Sequence, residues 1–199
     1  MPPTSYLAMS TQLDLQPAAR RLADLVAAVP DHALDRPTPC ERYTVGDLLD
    51  HIGGLAIAFA AAARKTPLNG AASGDASRLG PDWRERIPGD VITAGEAWHD
   101  PEAWTGMTAA GGVDLPGDVA GVVALDELVI HGWDLAKATG QPAGYDGPGL
   151  EAVYGVVSQF RSAGVEGIFG PAVEVPESAP LFDRILGLAG RDPAWEPGR

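Results

Sequence analysis

A chain of 199 residues, 45% hydrophobic and 21% charged, has enough material to bury a full core and reads as an ordinary globular domain. Its formal charge of −13 and pI near 4.5 set it against polyanions, which excludes nucleic acid and anionic membrane as main partners. The single cysteine, Cys40, excludes an internal disulfide and any multi-thiolate zinc site, and points to a reduced, cytoplasmic setting. The opening MPPTSYLAMSTQLDL has no basic segment followed by an apolar one, so no signal peptide is expected. The longest apolar run, residues 52–63, is too short for a bilayer and suits a buried helix.

In chain order, Leu15, Leu22, Val26 and Val29 recur near helical spacing, which predicts a first amphipathic helix over residues 11–29. The three prolines of PDHALDRPTPCERY make the next stretch a loop. Thr44, with Asp47 three residues on, reads as the cap of a second helix that buries Val45, Leu48, Leu49, Ile52 and Leu55. Residues 66–80, TPLNGAASGDASRLG, form a glycine-rich loop. Trp83, Ile87, Val91 and Trp98 predict a third helix that Pro88-Gly89 should kink or break. Residues 104–115, with Gly111-Gly112, suit an extended excursion or a hairpin. The clearest helix follows, with Asp118 as its expected cap and Gly140 just past its end. A further helix is expected over 149–163, and a short one around 181–188 between proline breaks. No internal repeat or series of parallel strands is visible. The expectation is a mainly α, single-domain chain over 1–199 with a tail from about 171.

Within ALDELVIHGWDLAKATG, residues 124–140, Glu127 and His131 stand four apart with no Pro or Gly between them. On a helix they lie one above the other, so their donor atoms can converge as two legs of a divalent-metal site. A plain surface pair, worth about a few tenths of a kcal/mol, has the same spacing. The adjoining positions are Ala120, Ala124 and Ala138, with Asp134 one turn beyond His131, while bulky residues such as Val129 and Ile130 fall elsewhere. Small side chains beside a polar pair leave room for a bound group. His51, between Leu48, Ile52 and Leu55, reads either as a satisfied core histidine or as a third donor. Gly53-Gly54 beside it let another helix come close. If the second and fourth helices face each other, His51, Glu127 and His131 make a three-donor set with an open position, the plan of a catalytic zinc site.

Three segments, TPCERYTVGDLLDHIGG, LDELVIHGWDLAKATGQP and APLFDRILGLAGRDPAW, together resemble the metal-binding family related to the N-terminal domain of mycothiol-dependent maleylpyruvate isomerase, within the DinB-like superfamily. The resemblance spans nearly the whole chain. It implies a DinB-like four-helix bundle with an up-down-down-up arrangement and a divalent metal, zinc first and nickel second. The family pattern puts the ligands on His51, Glu127 and His131. It also implies actinobacterial thiol chemistry, in which a low-molecular-weight thiolate such as mycothiol attacks an electrophile. The isomerase has a further C-terminal domain, whereas here only a proline-broken tail follows, so maleylpyruvate itself is a doubtful substrate.

Two functional classes follow. One is a thiol-activating transferase or isomerase for a small electrophile, with a water-activating hydrolase as its variant. The other is a non-catalytic metal or small-molecule binding module. On the enzyme reading Asp134 hydrogen-bonds a ligand histidine or a metal-bound water, and residues 66–80 cover the pocket; a plain helix-surface acid is the other reading of Asp134. Cys40 is expected to be a packed thiol, His99 to favour the third helix's C-terminal dipole, His32 to be solvated, and Trp133 to be core or interface. The expected partners are a small-molecule substrate, a small thiol and a second copy of the chain.

Overall fold

The computed structural model describes residues 12–68, 73–162 and 169–197. The fold is mainly helical and DinB-like. Its bundle is made of α1 (Gln16–Ala27), α2 (Val45–Ala63), α3 (Trp83–Ala97) and α4 (Gly117–Thr139). Between α3 and α4 lies a small hairpin, β1 (Met107–Ala110) and β2 (Val113–Pro116), and after α4 come α5 (Leu150–Ser162) and α6 (Leu181–Leu188). Both α1 and α2 pack against α3 and α4, which brings the second and fourth helices face to face.

Local chemistry sets the ends of these elements. The α1 helix begins later than its periodicity suggests because Pro17 sits in the first turn, where a missing N–H costs nothing. Residue 11, in the expected span, lies outside the described residues. At α2 the capping box forms as read: the Asp47 N–H donates to Thr44 Oγ1, and the Thr44 N–H donates to Asp47 Oδ2 at 3.0 Å. Gly140, at φ 73° and ψ 22°, adopts the left-handed conformation that closes α4. Gly111 and Gly112, both at positive φ, turn the antiparallel hairpin.

Two expectations are corrected. The third helix runs unbroken through Pro88. Ile87, Val91 and Ala94 are buried against α1 and α2, and that burial outweighs one lost backbone bond. The crossing is close: a Cβ on Gly95 would lie 2.8 Å from that of Ala19. The second correction concerns Asp118, which lies inside the first turn of α4 rather than capping it. Pro116 takes the cap position, and Gly117 packs so tightly on the Ala103 and Thr105 carbonyls that a Cβ would sit within 2.7 Å of both. The Asp118 carboxylate still complements the positive end of the helix.

The α4 helix is buried on nearly every side. It packs against α1, α2, α5, both strands and residues 101–104. The α2 helix is long and apolar enough to cross a membrane, with mean hydropathy 1.4, but over half of that stretch is covered by the bundle. That is the pattern of a core helix.

The short α6 buries Phe182, Ile185 and Leu186, with α5 as its main neighbour. Eight residues do not hold a helix in water, so this packing sustains it. Ile185 is fully buried, and Ile185→Ala should cost about 2–4 kcal/mol. Urea unfolding should show a lower midpoint at unchanged slope, and an unshifted midpoint would show that the tail contributes nothing.

Candidate metal centre

Two turns into α2, His51 faces the middle of α4, where Glu127 and His131 stand one turn apart. One donor atom from each of the three lies within 4.8 Å of the others. His131 Nε2 is 3.0 Å from Glu127 Oε2, and the two imidazole rings meet nearly edge to face at 4.9 Å. The His131–Glu127 edge is close to the about 3.3 Å expected between two donors on a tetrahedral zinc ion with bonds near 2.0 Å. His131 is buried, whereas Glu127 and His51 are partly exposed, so the cluster is open on their side. The alanines expected beside the pair, Ala120, Ala124 and Ala138, are all buried and leave the stripe uncrowded. The donor set is one carboxylate and two imidazoles, chemistry that suits a borderline divalent ion.

Behind the cluster stands a second layer. His131 Nδ1 is 3.0 Å from Asp134 Oδ2, and Asp134 is completely buried. Arg191, from the tail just after α6, donates to the same carboxylate through Nη2 at 2.9 Å and Nε at 3.3 Å. Its Nη1 donates to the Ala189 carbonyl. An ionised carboxylate accepts only, so Nδ1 carries the proton and Nε2 is turned toward Glu127 and His51. This is the hydrogen bond considered for Asp134 from its position one turn past His131.

The charges lock together. Burial alone would raise Asp134, but Arg191 beside it, with the His131 hydrogen bond, holds it below the usual carboxylate range. Burial would raise Glu127 too, yet the hydrogen bond and charge of His131 leave it lowered. Burial works against the His131 cation, but the bonds to Asp134 and Glu127 win and push it up to about 9. Asp126 is buried with Oδ1 unpartnered among the described residues. Burial first, and the Glu127 charge second, push it to about 8.

The remaining candidates fall outside the cluster. The Cys40 thiol is buried and raised by that burial, so it stays a thiol. His99 pairs with Asp14 at 3.0 Å at the protein surface, and His32 is exposed in a short 3-10 helix. Trp133 is core, with the Lys137 ammonium over its ring. Of the loop 66–80, residues 69–72 lie outside the described residues. Its later part is tied to the start of α2: the Ala76 N–H donates to Asp47 and Arg78 pairs with Asp50 at 2.6 Å. Gly74 N–H donates to the Tyr43 hydroxyl, and the Tyr43 ring lies 5.0 Å from that of His51. Sequence reasoning missed Arg191, Asp126 and Tyr43. The available signal for Arg191 was a cation beside an apolar tail helix.

A DinB-like helical bundle with a His/Glu/His cluster between its second and fourth helices defines the class. Residues 15–136 match the mycothiol maleylpyruvate isomerase N-terminal domain family, and the chain belongs to that family. Two uncharacterized proteins of Mycobacterium tuberculosis, Rv0738 of strain H37Rv and MT0763 of strain CDC 1551, are each 29% identical to it over 184 residues. That alignment spans 88% of this chain and 94% of each relative. No solved structure matches significantly. The family match contains His51, Glu127, His131 and Asp134 but stops short of Arg191.

Removing the Arg191 charge should be costly because Asp134 would be left buried and short of a partner. Arg191→Met is expected to lose about 3–5 kcal/mol in urea unfolding. Adding Asp134→Asn should recover part of that loss, since neither charge is then stranded. Strictly additive losses in the double-mutant cycle would show that the pair is not coupled.

Proposed function

We propose that the protein holds one divalent metal ion through His51, Glu127 and His131 and uses it to activate a low-molecular-weight thiol against a small electrophile. The observation that supports this most is the convergence of the three donors within 4.8 Å on a side open to solvent. Zinc is the metal favoured by the donor set, with nickel next. When bound, the ion supplies Lewis acidity that lowers the pKa of a thiol at its open position. The chain's own residues do the rest. Asp134 keeps the proton on His131 Nδ1, so that Nε2 faces the cluster. Arg191 keeps Asp134 ionised where burial alone would neutralise it. Glu127 and His51 line the side where a thiol enters.

The family's association with mycothiol makes that thiol, or one of its chemical kind, the proposed co-substrate. The chain's one thiol, Cys40, is buried and protonated, so it does not serve as the nucleophile. An external thiol fills that need: its S–H proton leaves to solvent, its sulfur bonds to one carbon of an electrophilic double bond, and the π pair moves to the adjoining atom, which takes up a proton. Later loss of that proton with departure of the sulfur re-forms the double bond. The reaction is then a thiol transfer, or an isomerisation if the sulfur later departs. Such thiols are abundant in the cytoplasm, which is the proposed location. The bundle and tail are proposed to act as one domain, because the tail completes the support of His131.

His131→Ala should lose stoichiometric metal, because two remaining donors rarely retain zinc. Undiminished metal by elemental analysis of that variant would remove the site. Proton competition gives an independent test. Without metal, His131 keeps its extra proton up to about pH 9, and a protonated Nε2 has no lone pair to give. Metal uptake between pH 7 and 9 must therefore displace that proton, so apparent affinity should climb about tenfold per pH unit there. The rise should level off above about pH 9, and chelator competition across this range would measure it. A flat profile from 7 to 9 would show that no ligand proton is displaced there, and together with undiminished metal in His131→Ala it would overturn the assignment of His131. Mycothiol added to the metal-loaded protein should raise its melting temperature and release a proton. If neither happens while metal stays bound, the binding-module or hydrolytic reading replaces thiol transfer.

A further inference from the structure

Where α2, the later part of the loop 66–80 and the start of α3 come together, they leave a groove of about 290 Å³. Asp50, Gly53 and Gly54 line it from α2, Ser73 and Arg78 from the loop, and Arg86 from α3. Two of its charged groups are fixed. Asp50 Oδ2 accepts from the Asp75 N–H at 3.1 Å, from Arg78 Nε at 3.0 Å and from Arg78 Nη2 at 2.6 Å. Arg78 Nη2 also donates to the Ser73 carbonyl. These bonds leave Asp50 Oδ1 and Arg78 Nη1 without a hydrogen bond among the described residues. Arg86 is held loosely, with Nη1 3.4 Å from Asp90 and Nε 3.9 Å from Asp82. Gly54 stands one helical turn from both Asp50 and His51. It therefore lines the groove and adjoins the metal cluster, with no side chain of its own standing between them.

We propose that this groove takes a neutral, polyhydroxylated ring of monosaccharide size, carried by the thiol whose sulfur sits at the cluster. This rests on the reading of the cluster as a thiol-activating metal site. Three physical arguments carry it. The first is charge: Asp50 offsets Arg78, and Arg86 stands between Asp82 and Asp90, so two guanidiniums face three carboxylates. On a chain of net charge −13 an anion gains little there, whereas a neutral ligand is not repelled. The second is hydrogen bonding. A hydroxyl both donates and accepts, so neighbouring hydroxyls can donate to Asp50 Oδ1 and accept from Arg78 Nη1 and Arg86. The Asp50–Arg78 pair is already fixed, and the Asp50 side chain is only 14% exposed, so binding costs little further ordering of that pair. The third is size and surface. The volume lies near the lower end for small-molecule sites, about 300 Å³, and is far larger than one water. Gly53 and Gly54 add no side chains to the groove, and the exposed Ile57 beside them meets the C–H face of a ring.

Glucose tests the groove without any metal-binding group. On the metal-free protein, the Gly53 and Gly54 amide resonances and the Arg78 and Arg86 Nε–H resonances should shift saturably with glucose. Acetate at equal concentration and constant ionic strength should not move them. Arg86→Met should weaken glucose binding about tenfold, and Arg86→Lys should not restore it, because an ammonium keeps the charge and loses the forked donors. Both variants lose only surface ion pairs, so their melting temperatures should stay close to that of the unsubstituted protein. Ser73→Ala, which keeps the carbonyl that Arg78 holds, is a second probe and should weaken binding less. A response to acetate in place of glucose, or glucose affinity unchanged in both Arg86→Met and Ser73→Ala, would overturn the proposal. On metal-loaded protein, 2-mercaptoethyl glucoside should bind about tenfold more tightly than 2-mercaptoethanol, since one molecule then fills both places. That gain should vanish in Arg86→Met at unchanged metal content, and equal affinities in the unsubstituted protein would overturn the groove's link to the cluster. A glucose response in a protein that takes up no metal would sink the metal–thiol reading and leave the groove's ligand class standing.

Discussion

The structure turns on one buried carboxylate. Asp134 has no exposure at all, and a carboxylate in that position neutralises unless a cation and good hydrogen bonds hold it. Arg191 and His131 supply both. Because Arg191 sits 57 residues downstream, holding Asp134 requires the tail to come back to the bundle. The tail in turn cannot fold alone, since an eight-residue helix needs an apolar surface to lie on. Phe182, Ile185 and Leu186 find that surface, and their burial places Arg191 beside Asp134. Core packing and ion pairing are therefore one constraint seen from two ends.

That constraint also explains the composition of α4. A helix buried over most of its surface is expected to be apolar nearly all round, and this one is so apart from its polar and charged positions. Asp126, Glu127, His131 and Asp134 sit within two and a half turns of an otherwise apolar element. Packing alone offers no reason to place four ionisable groups there. Their mutual arrangement does: each charged group except Asp126 is paired, and Asp126 is pushed toward neutrality by its burial. Alanines at 120, 124 and 138 keep the neighbouring backbone close without filling the space that the polar groups use.

Much of this was legible from residue spacing. The four-residue interval of Glu127 and His131, the apolar neighbours of His51 and the small residues around them pointed to convergence between two helices, which is where the structure brings them. The capping box at Thr44 and the glycine after α4 were readable because they are local chemistry. What escaped was non-local. Pro88 argued for a break because sequence shows the lost bond and hides the packing that compensates for it. Asp118 looked like a cap because the close backbone approach at Gly117 has no signature except the glycine itself. Arg191 belongs to no periodic pattern, and its partner is set by how the tail folds back. Asp126 carries no spacing signature, and its burial follows only from how α4 packs.

Charge balance connects the second layer to the proposed chemistry. In the metal-free cluster, Arg191 and protonated His131 offset Asp134 and Glu127, while Asp126 is held neutral by burial. Those four charges then cancel, as a largely buried site favours. On the proposed reading, a divalent cation enters and one proton leaves His131, which raises the local charge by one unit. A single anionic ligand at the open position restores the balance. A thiolate carries that one negative charge, whereas a neutral water or neutral thiol does not. The same excess charge favours loss of the thiol proton at neutral pH. On that reading the Arg191–Asp134 pair, itself net neutral, bears on the site through His131, whose Nδ1 Asp134 holds at 3.0 Å.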